Sequence, residues 1–349
     1  MHPTAENLLI WFQKNQRDLP WRQDKNPYKI WLSEIILQQT RVDQGTAYYL
    51  RFIDVFPNVF SLAEADEEQV LKLWQGLGYY SRARNLHATA KIIAHQYQGS
   101  FPTSYDELVQ LKGIGPYTAS AIASIAFNEK KGVVDGNVLR VISRLFDSDL
   151  PVDRPEGQKW VQQTMDELIP DSFPGDFNQA VMELGALVCT PTSPACHQCP
   201  LLLNCQARQR NTQTQLPVKL GKTKVTEVEW RYVILIAQGE ICVRLRSEKG
   251  IWKGLYDFPS IDSHGDINDD LLQVHSLANI HPKHISELPS FTHLLSHRKI
   301  TAHSVVVHLD TKCSIPQDCK WISISELHAL PVPRLIEKIM REMETLSIL

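Results

Sequence analysis

Apolar residues recur at helical intervals through most of the first 205 positions. SEIILQQTRV (33–42), DEEQVLKLW (66–74), SRARNLHATAKIIAHQY (81–97), PYTASAIASIAF (116–127), NVLRVISRLF (137–146), EGQKWVQQTMDELI (156–169) and FNQAVMELGALV (177–188) place them three or four apart. Ser33, Asp66, Ser81 and Asn137 are expected N-caps. Beyond residue 226 the texture changes. WRYVILIAQGEICVRLR (230–246) is two β-rich runs around Gln238-Gly239, and ITAHSVVVHL (300–309) is a third. Helical spacing returns only near DDLLQVHSLA (269–278) and PRLIEKIMREMETL (333–346). These patterns predict a multidomain chain: a mainly α domain over 1–205, a connector over 206–226 and an α+β domain over 227–349.

Length and composition agree with two domains: 349 residues, 43% hydrophobic and 21% charged. Residues 1–205 carry 18 Lys+Arg against 23 Asp+Glu, and 227–349 carry 13 against 16. The connector holds five basic residues and no acidic one, so it is either a solvated tether or a track for a phosphate backbone. Bulk charge does not announce a nucleic-acid binder, and such a role must rest on local donors. MHPTAENLLIWFQKN lacks a basic stretch followed by an apolar run, and no segment reaches the roughly 20 apolar residues of a membrane span. The expectation is a cytoplasmic monomer, nucleoid-associated if bacterial, with reduced cysteines and no membrane contact.

LKGIGPYTAS (111–120) puts Gly113 and Gly115 in a turn between an amphipathic segment, 105–111, and a small-residue helix. No β-branched strand precedes it and the third glycine of a dinucleotide-binding loop is absent. It reads as helix, glycine turn, helix: either a simple joint or an anion site made of bare backbone N–H groups.

CTPTSPACHQCPLLLNC (189–205) spaces Cys189, Cys196, Cys199 and Cys205 as C-x6-C-x2-C-x5-C. Four thiols so close in a reducing compartment suit a metal centre. Zinc favours two short pairs, whereas an iron–sulfur cube needs a chain that wraps around it, as longer gaps permit. Spacing alone also allows a zinc ribbon or four free thiols.

L-K-G-I-G, V-D-G-N-V (134–138) and this cysteine loop together resemble the helix–hairpin–helix DNA glycosylases, most closely those of the MutY-type adenine group. The resemblance covers 1–205 strongly and 227–349 weakly. It implies a helical glycosylase domain with a structural [4Fe–4S] cluster on the cysteine loop, followed by a Nudix-like (MutT-like) domain. It implies excision of adenine opposite 8-oxoguanine, or opposite G, in double-stranded DNA during base excision repair.

Breaking an N-glycosidic bond requires a proton for the leaving base and a counter-charge for the oxocarbenium ion, tasks that two carboxyl groups divide. Read alone, Glu34 is a first-turn surface glutamate and Asp135 a turn or cap residue. By resemblance they match the acid that protonates adenine and the aspartate that stabilises the sugar cation. Tyr117 stands where the similar endonuclease III group carries a lysine nucleophile. A phenol cannot form a Schiff base, so base release without strand cleavage is expected, with Tyr117 positioning the sugar or packing the hairpin. Trp21, Arg22 and Gln179 match base-pocket positions. Gln39 and Tyr79 match residues that enter the DNA stack, as base flipping requires.

GIWKGLYDFPS (250–260) resembles the corresponding stretch of MutT-type domains, yet no R-E-x-x-E-E cluster for magnesium follows it; Asp269-Asp270 is no substitute. A reader without hydrolase activity is expected. In FTHLLSHRK (291–299), Ser296 and His297 match the 8-oxoguanine-recognition loop, while Leu295 replaces its aromatic residue.

Overall fold

A computed structural model describes residues 2–221, 225–246, 250–261 and 283–349. Contacts divide the chain into two compact units: Met1–Glu64 with Asn85–Lys222, and Ala65–Arg84 with Thr223–Leu349. Sequence texture places 65–84 with the helices around it. Its grouping with the later residues has a local cause: Lys72 Nζ donates to the carbonyls of His328 (2.6 Å) and Leu330 (2.9 Å).

The first unit is helical: α1 (Pro3–Asn15), α2 (Pro27–Leu37), α3 (Val42–Val55), α4 (Val59–Glu64), most of α6 (Ser81–Gln96), α7 (Tyr105–Leu108), α8 (Pro116–Phe127), α9 (Gly136–Leu145), α10 (Pro155–Leu168), α11 (Pro174–Leu187) and α12 (Gln206–Arg210). α5 (Glu67–Trp74) belongs to the second. One core joins Leu8 and Phe12 of α1, Val138 and Ile142 of α9, Met165 of α10, and Phe177 and Val181 of α11.

Caps explain where the helical periods mislead. The run 33–42 is not one helix start: α2 begins six residues earlier, because Asn26 Oδ1 accepts from Tyr28 N (3.0 Å) and Pro27 suits the first position. Ser33 therefore lies mid-helix, donating to Ile30 O at 2.7 Å. α2 then stops at Leu37 and Gln39 turns left-handed (φ 58). Asn137 lies inside α9, whose N-cap is Asp135. Ser81 is the first residue of α6, and Asp66 caps the start of α5 by position, without a side-chain bond.

The second unit carries a mixed sheet of β1 (Thr226–Ala237), β2 (Glu240–Leu245), β3 (Tyr256–Asp257), β4 (Ser260–Ile261), β5 (His284–Leu294), β6 (Arg298–Leu309) and β7 (Cys319–Ser323), in the order β3-β2-β1-β6-β5. β4 pairs with β1 and β7 with β2. The β1–β2 hairpin turns at Gln238 and Gly239, both at positive φ as a two-residue hairpin loop demands. β1 and β6 run parallel in unbroken register from Thr226 beside Arg298 to Ala237 beside Leu309. α13 (Ile324–Leu327) and α14 (Arg334–Thr345) complete it, the latter matching the helical pattern near 333–346. The pattern at 269–278, with Asp269-Asp270, lies outside the described residues. Among the described residues no helix is long and apolar enough to cross a membrane.

Candidate active site

α2, α8, α9 and α11 with the short 3₁₀ turn Pro20–Arg22 border a cleft of ≈ 270 Å³ in the first unit. Trp21, Arg22, Glu34, Tyr117, Asp135 and Gln179 all line it. The stretch before Asp135 is held from below by a residue that spacing does not suggest. Asn178 accepts from Val133 N (3.0 Å) while its Nδ2 donates to Ser124 Oγ and Lys131 O, both at 2.9 Å.

Glu34 is 8% exposed, on the inward face of α2 rather than in its first turn. The Tyr117 hydroxyl, from the first turn of α8, donates to Glu34 Oε2 and lies 3.8 Å from Met182 Sδ. Burial pushes the Glu34 carboxyl up to about 7; the Tyr117 hydrogen bond and Arg22 oppose this, and the charge of Asp135 adds to it. Burial and the two carboxylates push the Tyr117 hydroxyl well above its ordinary range, so it remains a donor.

Asp135 caps α9, its Oδ1 accepting from Val138 N (2.7 Å) and its Oδ2 from Asn137 Nδ2 (2.8 Å). Burial raises its pKa, and these bonds and Arg140 pull it back toward the ionised form. Cap and cleft residue are thus the same side chain: the bonds that start α9 orient both carboxylate oxygens.

Sequence spacing points to neither Arg17 nor Glu183, which form the far wall. Glu183, 1% exposed, accepts from Arg17 Nε (2.8 Å) and Arg22 Nη2 (2.9 Å). Burial alone would raise its pKa, but the two guanidinium groups bring it down to about 2. A charged residue on the buried side of α11 was the available signal.

Gly113 and Gly115 sit in the turn before α8. Gly113 is left-handed (φ +77), and a Cβ there would meet Asn85 Cβ at 2.5 Å, so glycine is required twice over. Gly115 is the N-cap of α8, with no side-chain acceptor on the first-turn N–H groups and nothing within 4 Å of a built Cβ. Thr89 Oγ1 donates to the Lys112 carbonyl, fixing the approach to the turn. Gln39 is exposed beyond α2 in the first unit, whereas Tyr79, 48% exposed, belongs to the second.

In the second unit a cleft of ≈ 400 Å³ is lined by Tyr79, Trp252, His293, Leu295, Ser296 and His297 among others. Ser296 and His297 occupy the exposed β5–β6 turn, with Ser296 Oγ 3.3 Å from His297 Nδ1. Trp252, itself at positive φ (63), meets Trp230 and His293 edge-on at 5.2 and 5.6 Å between ring centres.

Cys189, Cys196, Cys199 and Cys205 line one pocket. Among the described residues no three His, Cys, Asp or Glu side chains close on a point that could hold a metal ion. The donor set nevertheless fits a polynuclear cluster: four soft sulfurs share an apolar pocket on a chain that wraps it. Without a metal the Cys199 thiol stays protonated, since burial and the neighbouring thiols push it up to about 12. Arg144 braces the loop, donating to Thr190 O (2.7 Å), Pro191 O (2.8 Å) and Leu216 O (3.0 Å), with Nη1 3.4 Å from Cys189 Sγ. Arg140 adds Nε to Cys189 O at 2.7 Å. Both arginines sit on α9 among apolar neighbours, one turn apart.

Residues 32–170 match the HhH-GPD superfamily base excision DNA repair protein family, and residues 231–342 the NUDIX domain family. The adenine DNA glycosylase of Buchnera aphidicola subsp. Schizaphis graminum is 34% identical over 340 residues, 96% of this chain and 97% of its own. The adenine DNA glycosylase of Homo sapiens is 33% identical over 402 residues, 96% of this chain and 73% of its own. A thermostable thymine-DNA glycosylase structure superposes with TM-score 0.55 at 26% identity, covering 59% of this chain and 95% of its own. A structure of endonuclease III with DNA gives 0.51 at 22% identity, covering 60% and 95%, a likeness of fold. Two domains in this order and similarity along nearly the whole chain place it plainly: it belongs to the adenine DNA glycosylase family, enzymes that hydrolyse N-glycosidic bonds in DNA.

Proposed function

We propose that the chain is a monofunctional glycosylase that releases adenine paired with 8-oxoguanine and, more slowly, with G, leaving an abasic site. The observation that carries this is the Glu34 carboxyl, buried, held by the Tyr117 hydroxyl and poised near neutrality beside Asp135. The flipped adenine enters the cleft against Trp21, Arg22 and Gln179. Protonated Glu34 gives its proton to a ring nitrogen as the glycosidic bond breaks, so the bonding pair leaves with a neutral base. The cation growing at C1′ favours ionised Asp135, whose oxygens are already aimed by the α9 cap. Water adds to C1′ and returns a proton to Glu34. No amine takes part: the Lys25 side chain at the cleft donates to Asn128 Oδ1 at 3.2 Å, and Tyr117 is no Schiff-base former.

The open N–H groups at Gly115, beyond the Gly113 turn, would hold a DNA phosphate, and Gln39 and Tyr79 would enter the stack. Ser296 and His297, over the aromatic floor of the second cleft, would read the 8-oxoguanine. Cys189, Cys196, Cys199 and Cys205 would hold a [4Fe–4S] cluster, which when bound cross-links the loop without reacting with the substrate. The test is a labelled duplex with one adenine opposite 8-oxoguanine, incubated with wild type or Glu34→Gln and then treated with hot alkali or left untreated. Alkali-dependent scission at adenine, lost in the variant, is expected. Scission without alkali would instead assign a lyase.

A further inference from the structure

Five donors converge on the Glu183 carboxylate. Arg17 supplies its backbone N (2.9 Å), Nε and Nη2 (both 2.8 Å); Arg22 supplies Nη1 (3.3 Å) and Nη2 (2.9 Å). Arg22 Nη1 also reaches Arg17 O at 3.1 Å. One Arg22 nitrogen is left over, and Nε donates to Gln179 Oε1 at 2.9 Å. A guanidinium has no acceptor, so the Gln179 atom facing Arg22 must be the amide oxygen. With Oε1 turned to Arg22 and one of its lone pairs engaged, Nε2 is the donor that the planar amide can offer a ligand in the cleft.

We propose that Glu183 is a positioning residue for base selection: by clamping the Arg22 fork it fixes the Gln179 amide with its NH₂ available to the cleft, which therefore reads an acceptor edge of the flipped purine. The proposal rests on the adenine-release reading above and adds to it a specific orientation of one amide. Glutamine at 183 has a single acceptor oxygen and two donors of its own, so it cannot satisfy both arginine forks. Arg22 is released, and with it the constraint on Gln179. The amide can then turn its oxygen toward an exocyclic 6-amino group, which adenine has and unsubstituted purine lacks.

The experiment is single-turnover release of adenine and of unsubstituted purine, each opposite 8-oxoguanine, by wild type, Glu183→Gln, Glu183→Asp and Arg22→Lys. Lysine at 22 can pair with Glu183 but has no third nitrogen for Gln179. Affinity for a duplex carrying a tetrahydrofuran abasic analogue, which has no base to select, reports whether the fold survives. E183Q and R22K are expected to slow purine release about tenfold, the scale of one lost hydrogen bond, and adenine release less. The adenine-to-purine ratio then rises in both, E183D lies between, and abasic-analogue affinity is kept. Equal slowing of the two bases, or affinity falling in step with rate, would overturn the proposal and leave Glu183 a structural ion-pair partner. Wild type releasing neither base would overturn the adenine-release reading itself, and this proposal with it.

Discussion

Tyr117 donates its hydroxyl hydrogen to Glu34 Oε2, and both side chains line one cleft. The bond favours the ionised glutamate, while burial favours the neutral one, and the balance falls at about 7.

With Glu34 as the proposed acid, release should slow as pH rises. A general acid works from its protonated form, so the single-turnover rate should fall roughly tenfold per unit above about pH 7, and fall again at acid pH where Asp135 takes up a proton. Glu34→Gln should lose at least about 10²-fold in rate below about pH 7 and lack the falling limb above it. A pH–rate profile of both proteins checks this.

The same carboxyl makes stability pH-dependent. Its folded pKa, about 7, lies above the ordinary 4.5. Its contribution is therefore fully present below pH 4.5 and lost as pH rises through 7, up to about 3 kcal/mol. Glu34→Gln should be less sensitive than wild type to a change from pH 5 to 8, as denaturant unfolding at the two pH values would reveal.

Tyr117→Phe removes a bond that lowers the Glu34 pKa. The falling limb of the pH–rate profile should move to higher pH, with a rate loss of about tenfold from poorer placement. An unmoved limb would mean that the hydroxyl does not reach the acid in solution.

Gly113→Ala should cost about 1–3 kcal/mol, because alanine is strained at φ +77 and its methyl meets Asn85. Gly115→Ala adds a methyl into open space at φ −84 and should leave thermal stability nearly unchanged. Melting curves of the pair separate turn geometry from any role in phosphate contact, which DNA affinity at two salt concentrations then reports.

Arg144→Met should loosen the cysteine loop, since three carbonyls and the Cys189 sulfur lose their donor. On the proposed [4Fe–4S] assignment, iron and acid-labile sulfide per chain should drop in the purified variant, as they should in Cys199→Ser. Full loading of R144M would show that the loop holds itself.

The legible parts were those where one period governs a long segment. α8 spans the twelve residues of its pattern, because small apolar residues there leave no competing structure. Cap chemistry was harder. Ser33 and Asn137 suit caps, but Asn26 with Pro27, and Asp135, bind the free N–H groups better and shift both helix starts. Glu34, Asp135 and Tyr117 were singled out through the family resemblance and the cysteines through their spacing, and each set lines one cleft. Arg17, Glu183, Asn178 and Arg144 could not be singled out, since each works by meeting a partner far away in sequence, and pattern records only neighbours. β5 and β7 escaped for a related reason: alternation is broken by a register shift between Leu288 and Phe291 in one, and the other is five residues long.

The parallel seam of β1 and β6 bears on how the protein is made. Neither strand can find the other until a loop of roughly 70 residues has closed, an entropic toll that the β1–β2 and β5–β6 hairpins do not face. The hairpins should zip first and the seam last. The sheet can thus stand for a time as two separate ribbons, so mutations along Thr226–Ala237 should show themselves first as slow maturation.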